Sequence, residues 1–124
     1  METHQTIYHQ LGDESLNLLL RNFYDKVFES PVIGHLFTKT SKYEILDKQY
    51  CFLTQFLGGP LRYSEKYGHP RMRERHLPHP INIESRDEWL RLMKAAIEET
   101  IADPKLQAAL YNCFPAVANH MVNR

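Results

Sequence analysis

The chain has 124 residues, enough for one hydrophobic core but not for two, which predicts a single domain over residues 1–124. Its 15 Lys and Arg residues balance its 15 Asp and Glu residues, and this neutrality argues against general binding of nucleic acid or anionic membranes. No apolar run is long enough to span a bilayer, and the first residues do not have the pattern of a signal peptide. Cys51 and Cys113 lie far apart in the sequence and do not have the spacing of a metal site, so both are predicted to be reduced thiols. These features predict a cytoplasmic protein.

The first half of the chain predicts two amphipathic helices. Apolar residues recur at helical spacing from Leu16 to Phe28, and Ser30-Pro31 ends the pattern. The second helix is predicted to begin at Ser41-Lys42-Tyr43-Glu44, a capping box in which the serine accepts from a backbone N–H and the glutamate reaches back. Gly58-Gly59-Pro60 is predicted to end that helix.

The second half predicts a loop followed by two more helices. Residues 60–82 are rich in proline and should be mostly loop, with one short helical piece around residues 71–76. A second capping box, Ser85-Arg86-Asp87-Glu88, predicts the start of the third helix. Asp103-Pro104 predicts an N-cap and first turn for a last helix that runs to Met121. No long segment alternates polar and apolar residues, so the sequence predicts an all-α protein of four main helices in two pairs.

The loop contains the densest chemical pattern of the chain, Gly68-His69-Pro70-Arg71-Met72-Arg73-Glu74-Arg75-His76-Leu77-Pro78. A histidine can ligate iron, and fixed arginines beside it can bind carboxylates. Haem presents both an iron and two propionates, so this segment favours a haem site. Zinc is disfavoured because the spacing of His69, His76 and His79 matches no common ligand pattern. A nucleotide site is disfavoured because no glycine-rich loop follows a strand.

Three predicted helices carry a polar side chain on an apolar face. These residues are Tyr24, Gln49 and Trp89, the single tryptophan of the chain. A buried polar group without a partner costs ~1–3 kcal/mol, so each should bond to the protein or to a ligand. In the simpler interpretation, Tyr24 reaches a backbone carbonyl, Gln49 faces solvent and Trp89 is ordinary core. The coincidence of three such donors on three helices favours a ligand site.

Taken together, these residues resemble a truncated haemoglobin, and within that family group II. The resemblance extends from about Ile7 to Asn123. The segments that carry it are Phe23-Tyr24, Gln49, Leu53-Thr54-Gln55-Phe56-Leu57-Gly58-Gly59-Pro60, Tyr63, Gly68-His69-Pro70, Arg73-Glu74-Arg75-His76-Leu77-Pro78, Asp87-Glu88-Trp89-Leu90 and His120-Met121-Val122-Asn123. It implies a globin-like two-over-two helical sandwich that binds haem b and reversibly binds dioxygen and other diatomic ligands.

The resemblance also implies the site residues. His76 is the expected proximal ligand of the iron and its one metal ligand from the protein. Tyr24, Gln49 and Trp89 are expected as hydrogen-bond donors in the distal pocket, on the other side of the haem. The remaining expected haem contacts are Phe37, Ile45, Lys48, Tyr63, Met72 and Arg75, of which Lys48, Tyr63 and Arg75 would meet the propionates. The sequence departs from the family at Ile45, which is polar in some relatives, and at His79, where an aromatic residue is usual.

The expected function is high-affinity binding of dioxygen, with no catalytic residue assigned. Peroxidase or nitric-oxide dioxygenase chemistry is expected only as a side activity, with an electron-donating reductase as a candidate partner. The protein is expected to be a monomer or a weak homodimer. The alternative is a cofactor-free helical interaction module whose histidine and arginines form a docking patch. Absorption near the Soret band distinguishes the two.

Overall fold

A computed structural model of the chain describes residues 6–37, 41–76 and 79–124, except for the side chains of residues 72 and 73. The helices are α1 (Ile7–Glu29), α2 (Lys42–Phe56), α3 (Arg62–Tyr67), α4 (Met72–His76), α5 (Ile83–Thr100), α6 (Pro104–Tyr111) and α7 (Pro115–Met121), with a 3₁₀ turn at Gly34–Phe37. These three ranges contain no strand, which confirms the all-α prediction. No helix within them is long and apolar enough to cross a membrane.

The first helix bends near its start and stops where the sequence predicted. Gly12 has a φ of 80°, a left-handed conformation that glycine adopts readily, and it separates the first turn from the rest of α1. At the other end the Ser30 N–H donates to the Val27 carbonyl at 3.1 Å. Pro31 follows, and proline disfavours the helical conformation of the residue before it. The long part of α1 therefore runs unbroken along the core.

The helices pack in two layers. α1 and α2 form one layer, and α5 with α6 and α7 forms the other, with α1 in contact with both α2 and α5. The side chains at the centre are apolar and buried: Leu16, Leu19, Leu20, Phe23 and Val27 from α1, Leu53 from α2, Leu92, Met93, Ala96 and Ile97 from α5, Leu110 from α6, and Phe114. This arrangement is the two-over-two sandwich that was expected, with its core between the layers.

Both predicted capping boxes are wrong. Ser41 does precede α2, but its side chain makes no capping hydrogen bond. The helix α5 begins earlier than predicted because Asn82 is its N-cap and accepts from the Ser85 N–H at 2.8 Å. Glu88, assigned to the second box, is instead buried and accepts a hydrogen bond from Ser30 at 2.6 Å.

The predicted number of helices is also wrong in two regions of the chain. The last helix is two helices, because Pro115 lacks the N–H that would continue α6 and instead starts α7. The predicted loop contains α3 in addition to the expected helical piece α4. The Gln55 side chain holds α3 by donating to the Ser64 hydroxyl at 2.9 Å and accepting from the Ser64 N–H at 3.0 Å. Leu77 and Pro78 of the histidine-arginine segment lie outside the described residues.

Candidate functional site

Ring contacts connect three of the predicted pocket residues across two helices and a turn. Tyr24 lies on the inner side of α1 and is 3% exposed. Phe37 packs edge-on against it, with the ring centroids 6.1 Å apart. Phe23 packs edge-on against both Tyr24, at 4.9 Å, and Trp89 of α5, at 5.1 Å. Tyr24, Phe37 and Trp89 therefore belong to one aromatic cluster, as expected of residues that line one pocket.

Two further predicted pocket residues, Ile45 and Gln49, lie on α2. Ile45 is half-buried and packs against the hydrophobic core. Gln49 follows one turn later and is half-buried as well. Among the described contacts, none joins Gln49 directly to Tyr24 or Trp89. The structure thus places Gln49 on the helix expected to face the aromatic cluster, with no hydrogen bond between Gln49 and the cluster among the described residues.

The three predicted distal donors share the lack of a hydrogen-bond partner. Within the described part of the chain, no hydrogen bond involves the Tyr24 hydroxyl, the Gln49 carboxamide or the Trp89 indole N–H. The simpler interpretation of Tyr24, a bond to a backbone carbonyl, therefore finds no support among these residues. Burial raises the pKa of the Tyr24 hydroxyl, so it keeps its proton at neutral pH and can donate.

His76 is the last residue of α4, and the backbone around it is held from two sides. Its side chain is half-buried, and its carbonyl accepts from the His79 N–H at 2.9 Å. Arg75 folds back on the loop before α4, with Nε donating to the Pro70 carbonyl at 2.8 Å and Nη2 to the His69 carbonyl at 3.4 Å. Met72 begins α4, but its side chain lies outside what the structure describes. The proximal candidate thus lies on a short, braced helix.

The three predicted propionate contacts lie along one row of neighbouring side chains. The Lys48 Nζ is 5.7 Å from the centre of the Tyr67 ring, and the Tyr67 ring packs against that of Tyr63 at a tilt of 40°, with the ring centroids 5.1 Å apart. The Arg75 guanidinium lies 5.7 Å from the centre of the Tyr63 ring. Sequence reasoning missed Tyr67, which lies one helical turn after Tyr63 on the unpredicted helix α3. We call Lys48, Tyr67, Tyr63 and Arg75 the cationic row.

The cations of this row have only weak partners of their own. Lys48 pairs with Glu44 at 3.1 Å, and both side chains are well exposed. Exposed ion pairs of this kind contribute ~0–1 kcal/mol, so the lysine can exchange its partner for a bound carboxylate at little cost. The Arg75 bonds described above use two of the five N–H groups of its guanidinium.

A buried carboxylate next to Trp89 was also missed by sequence reasoning. Glu88 is 8% exposed, accepts from the Ser30 hydroxyl at 2.6 Å and accepts from the Arg91 Nε at 2.7 Å. Those hydrogen bonds hold the pKa of Glu88 below its usual range, and the hydrogen bond from Arg91 has the largest effect. Glu88 therefore ties the turn after α1 to the start of α5, from which Trp89 extends.

The layered fold, the half-buried histidine on a braced short helix and the aromatic cluster with unpartnered donors define a protein of the globin class. The sequence pattern of the family described as "Bacterial-like globin" matches residues 6–123. The chain belongs to this family, and within it to the truncated haemoglobins of group II.

Relatives and solved structures agree. The chain is 39% identical over 117 residues to "Group 2 truncated hemoglobin YjbI" of Bacillus subtilis (strain 168), which covers 94% of this chain and 88% of the relative. It superposes on the group II truncated haemoglobin from Bacillus anthracis with a TM-score of 0.92 at 32% identity, covering 98% of this chain and 94% of the other. The truncated oxygen-avid haemoglobin from Bacillus subtilis gives a TM-score of 0.90 at 39% identity, covering 96% and 100%.

The family supports haem-based binding of oxygen and other small diatomic ligands as the general function. It also implies a haem cofactor. The described residues fit that cofactor on three observations: the exposed cations of the cationic row, the half-buried His76, and the donors that no described residue engages.

Proposed function

We propose that this protein binds haem b through His76 and binds dioxygen with high affinity, using Tyr24, Gln49 and Trp89 as distal donors. The observation that carries the proposal is that these three side chains, on α1, α2 and α5, have no hydrogen-bond partner in the described part of the chain. Tyr24 is buried and Gln49 and Trp89 are half-buried, and a polar group that is shielded from water in this way is stabilised when a ligand engages it. The description of the Bacillus subtilis relative as oxygen-avid supports the high affinity.

Haem, when bound and held by His76, would supply an iron that binds a diatomic ligand. The chain would supply the surroundings. Phe23, Phe37 and the rest of the aromatic cluster would keep water away from the ligand, and this would strengthen every hydrogen bond made inside the pocket. Donors that are already fixed stabilise a ligand that gains negative charge without having to reorganise. Dioxygen gains such charge far more than carbon monoxide does, so the donors would favour dioxygen.

The cationic row would hold the propionates at the edge of the pocket. Arg75 offers planar N–H pairs that suit a carboxylate, and Lys48 offers a compact charge. Tyr63 and Tyr67 form the apolar wall on which both cations rest. Because Arg75 is adjacent to His76 in α4, this side chain would link the propionate contact to the proximal ligand.

A secondary proposal rests on the same three donors. Peroxidase or nitric-oxide dioxygenase activity would use them to hold or polarise an oxygen-containing substrate. Peroxidase turnover would consume a reducing substrate, and nitric-oxide dioxygenase turnover would require a reductase partner that returns the iron to the ferrous state. The monomeric or weakly dimeric state and the cytoplasmic location remain predictions from the sequence.

The decisive experiment replaces His76 and compares it with a neighbouring histidine. His76→Ala should lose most of its haem or hold it in a spectrally altered complex. His69→Ala is the matched control, because His69 is exposed and lies in the same segment, and it should keep the wild-type haem content and ferrous spectrum. Normal haem content with an unchanged five-coordinate ferrous spectrum in His76→Ala would rule out the assignment. A wild-type protein that has no Soret absorption after exposure to haem would favour the interaction module instead.

A further inference from the structure

The segment that follows α7 binds the backbone next to His76. The Asn123 Nδ2 donates to the His76 carbonyl at 3.1 Å and to the His79 carbonyl at 3.0 Å. The Asn123 Oδ1 accepts from the Ile81 N–H at 3.2 Å. The backbones also pair, since the Asn123 N–H donates to the Ile81 carbonyl at 2.9 Å. One side chain thus joins three points of the chain: His76 itself and two residues that follow it.

The chemistry of these partners requires an asparagine. The His76 and His79 carbonyls can only accept, and the Ile81 N–H can only donate, so they fix which end of the carboxamide faces which group. An aspartate of the same shape would place a carboxylate oxygen against two carbonyl oxygens. An alanine would leave the two carbonyls without this donor.

Helix α4 needs an external partner at this end. It is 5 residues long, and a helix this short is unstable alone in water. The last carbonyls of any helix lack partners within the helix, and the His76 carbonyl is one of them. It receives the His79 N–H and the Asn123 Nδ2, one for each lone pair. Asn123 therefore caps α4 at the residue that carries the imidazole.

We propose that Asn123 is a positioning residue that fixes the backbone of His76 and thereby the angle at which its imidazole meets the iron. This inference rests on the proposed function, because it takes His76 as the proximal ligand. Arg75 braces the loop before α4 and Asn123 braces its end, so the helix cannot tilt without breaking one set of bonds. The His120-Met121-Val122-Asn123 segment would thus help to position the haem ligand, although it lies far from His76 in the sequence.

The test compares two substitutions at Asn123 with one matched control. Asn123→Asp keeps the shape and replaces the donors with acceptors, whereas Asn123→Ala removes the contact without adding repulsion. Asn119→Asp is the control: Asn119 is an exposed residue of α7 that accepts from Arg86, and an aspartate there keeps that interaction. Circular dichroism and thermal unfolding establish that each variant is folded.

Three readouts are taken on the full-length protein as purified. Amide hydrogen exchange at His79, Ile81 and Asn123 measures whether the hydrogen bonds around Asn123 are formed, and it does not depend on haem. The stretching band of the iron–histidine bond, by resonance Raman spectroscopy of the ferrous protein, reports the angle and strength of the proximal bond. Transfer of haem to an acceptor protein reports retention.

We expect Asn123→Asp to lose amide protection, to shift or broaden the iron–histidine band, and to release haem roughly tenfold faster. Asn123→Ala should lie between it and the wild type, and Asn119→Asp should match the wild type in all three readouts. Unchanged amide protection in Asn123→Asp would show that the Asn123 side chain does not make these hydrogen bonds in the wild type. Lost protection with an unchanged iron–histidine band would show that the hydrogen bonds form in the wild type but do not position His76. A wild-type protein that holds haem but shows no iron–histidine band would contradict the proposed function itself, and the inference with it.

Discussion

Two groups of polar side chains in this protein have opposite surroundings. The first is centred on Asp13, whose Oδ1 accepts from the Tyr8 hydroxyl at 2.8 Å, the Tyr50 hydroxyl at 2.7 Å and the Arg62 Nη1 at 3.0 Å. Arg62 also donates to the Tyr50 hydroxyl at 2.7 Å and lies over the Tyr8 and Tyr50 rings. We call these four residues the Asp13 cluster. The second group is the distal set of Tyr24, Gln49 and Trp89, which makes no hydrogen bond among the described residues.

The difference supports the proposal that the first group is structural and that the second binds a ligand. In the Asp13 cluster the hydrogen bonds to the carboxylate, of which the one from Arg62 has the largest effect, lower the pKa of Asp13 to about 2. Burial and the hydrogen bond to Asp13 raise the pKa of Tyr50 to about 12. These groups are matched to one another and tie the start of α1 to α2 and α3. In the distal set, burial alone raises the pKa of Tyr24. A polar group on a helix therefore has to be judged by its partners and not by its position alone.

The largest expected effect comes from removing the distal set. Tyr24→Phe, Gln49→Leu and Trp89→Phe together should speed dioxygen release by roughly a hundredfold or more, since each hydrogen bond to a partly charged ligand contributes ~1.5–2 kcal/mol. Single variants should show smaller, non-additive effects, because the remaining donors can re-aim. Stopped-flow measurement of dioxygen and carbon monoxide release tests this, and carbon monoxide release should change far less.

Tyr50→Phe is the control for this comparison. It removes the same hydroxyl as Tyr24→Phe, but from the Asp13 cluster, and should leave dioxygen release unchanged. If the triple variant releases dioxygen at the wild-type rate, the distal set is only core packing and the two groups do not differ in function.

Sequence reasoning succeeded where the determinant was local. The ends of α1 and α2 follow from Ser30-Pro31 and Gly58-Gly59-Pro60, and the Asp103 side chain caps α6 by accepting from the Lys105 N–H at 3.0 Å. The break at Pro115 was local as well, and the missing N–H of proline was the signal that would have revealed it.

Contacts between distant residues could not be predicted in this way. The Glu88 carboxylate meets Ser30 across 58 positions, and Asn123 meets His76 across 47. Both pairs depend on how the layers pack, which leaves no periodic trace in the sequence. The resemblance supplied candidates for the site, but the missing partners of the distal set and the place of Tyr67 between Lys48 and Tyr63 become visible only in three dimensions.

The next effect should appear in stability and not in ligand release. Asp13→Asn should lower the free energy of unfolding at neutral pH by ~1 kcal/mol, a value kept small because the Asp13 side chain is 48% exposed. The pKa of Asp13 is lowered from 3.8 to about 2, so its contribution is complete above about pH 4 and is lost as the pH falls toward 2. The difference between variant and wild type should therefore shrink across that window.

Urea unfolding at several pH values measures this difference. Asp25→Asn is a suitable control, because Asp25 makes one ion pair with Lys42 at an exposed site and should change the free energy of unfolding less. A difference that stays constant down to pH 2 would mean that the cluster does not stabilise the ionised carboxylate. A change in dioxygen release in Asp13→Asn would remove the distinction between the two groups.

The smallest effects are expected in the cationic row, which lies between the two extremes: its cations have protein partners, but weak or partly exposed ones. Lys48→Ala, Tyr63→Phe and Arg75→Ala should each weaken haem retention by ~0.5–1.5 kcal/mol. Lys48 and Arg75 are exposed, so solvent would screen their contacts with the propionates, and Tyr63→Phe removes a single hydroxyl. Haem transfer to an acceptor protein should be faster in each. Lys42→Ala is the matched control, since Lys42 is also a salt-bridged lysine of α2 but lies over the Phe28 ring instead of Tyr67. If the three variants lose haem no faster than Lys42→Ala, the propionates are anchored elsewhere. In that case a weak interaction with the protein does not indicate that a side chain binds a ligand.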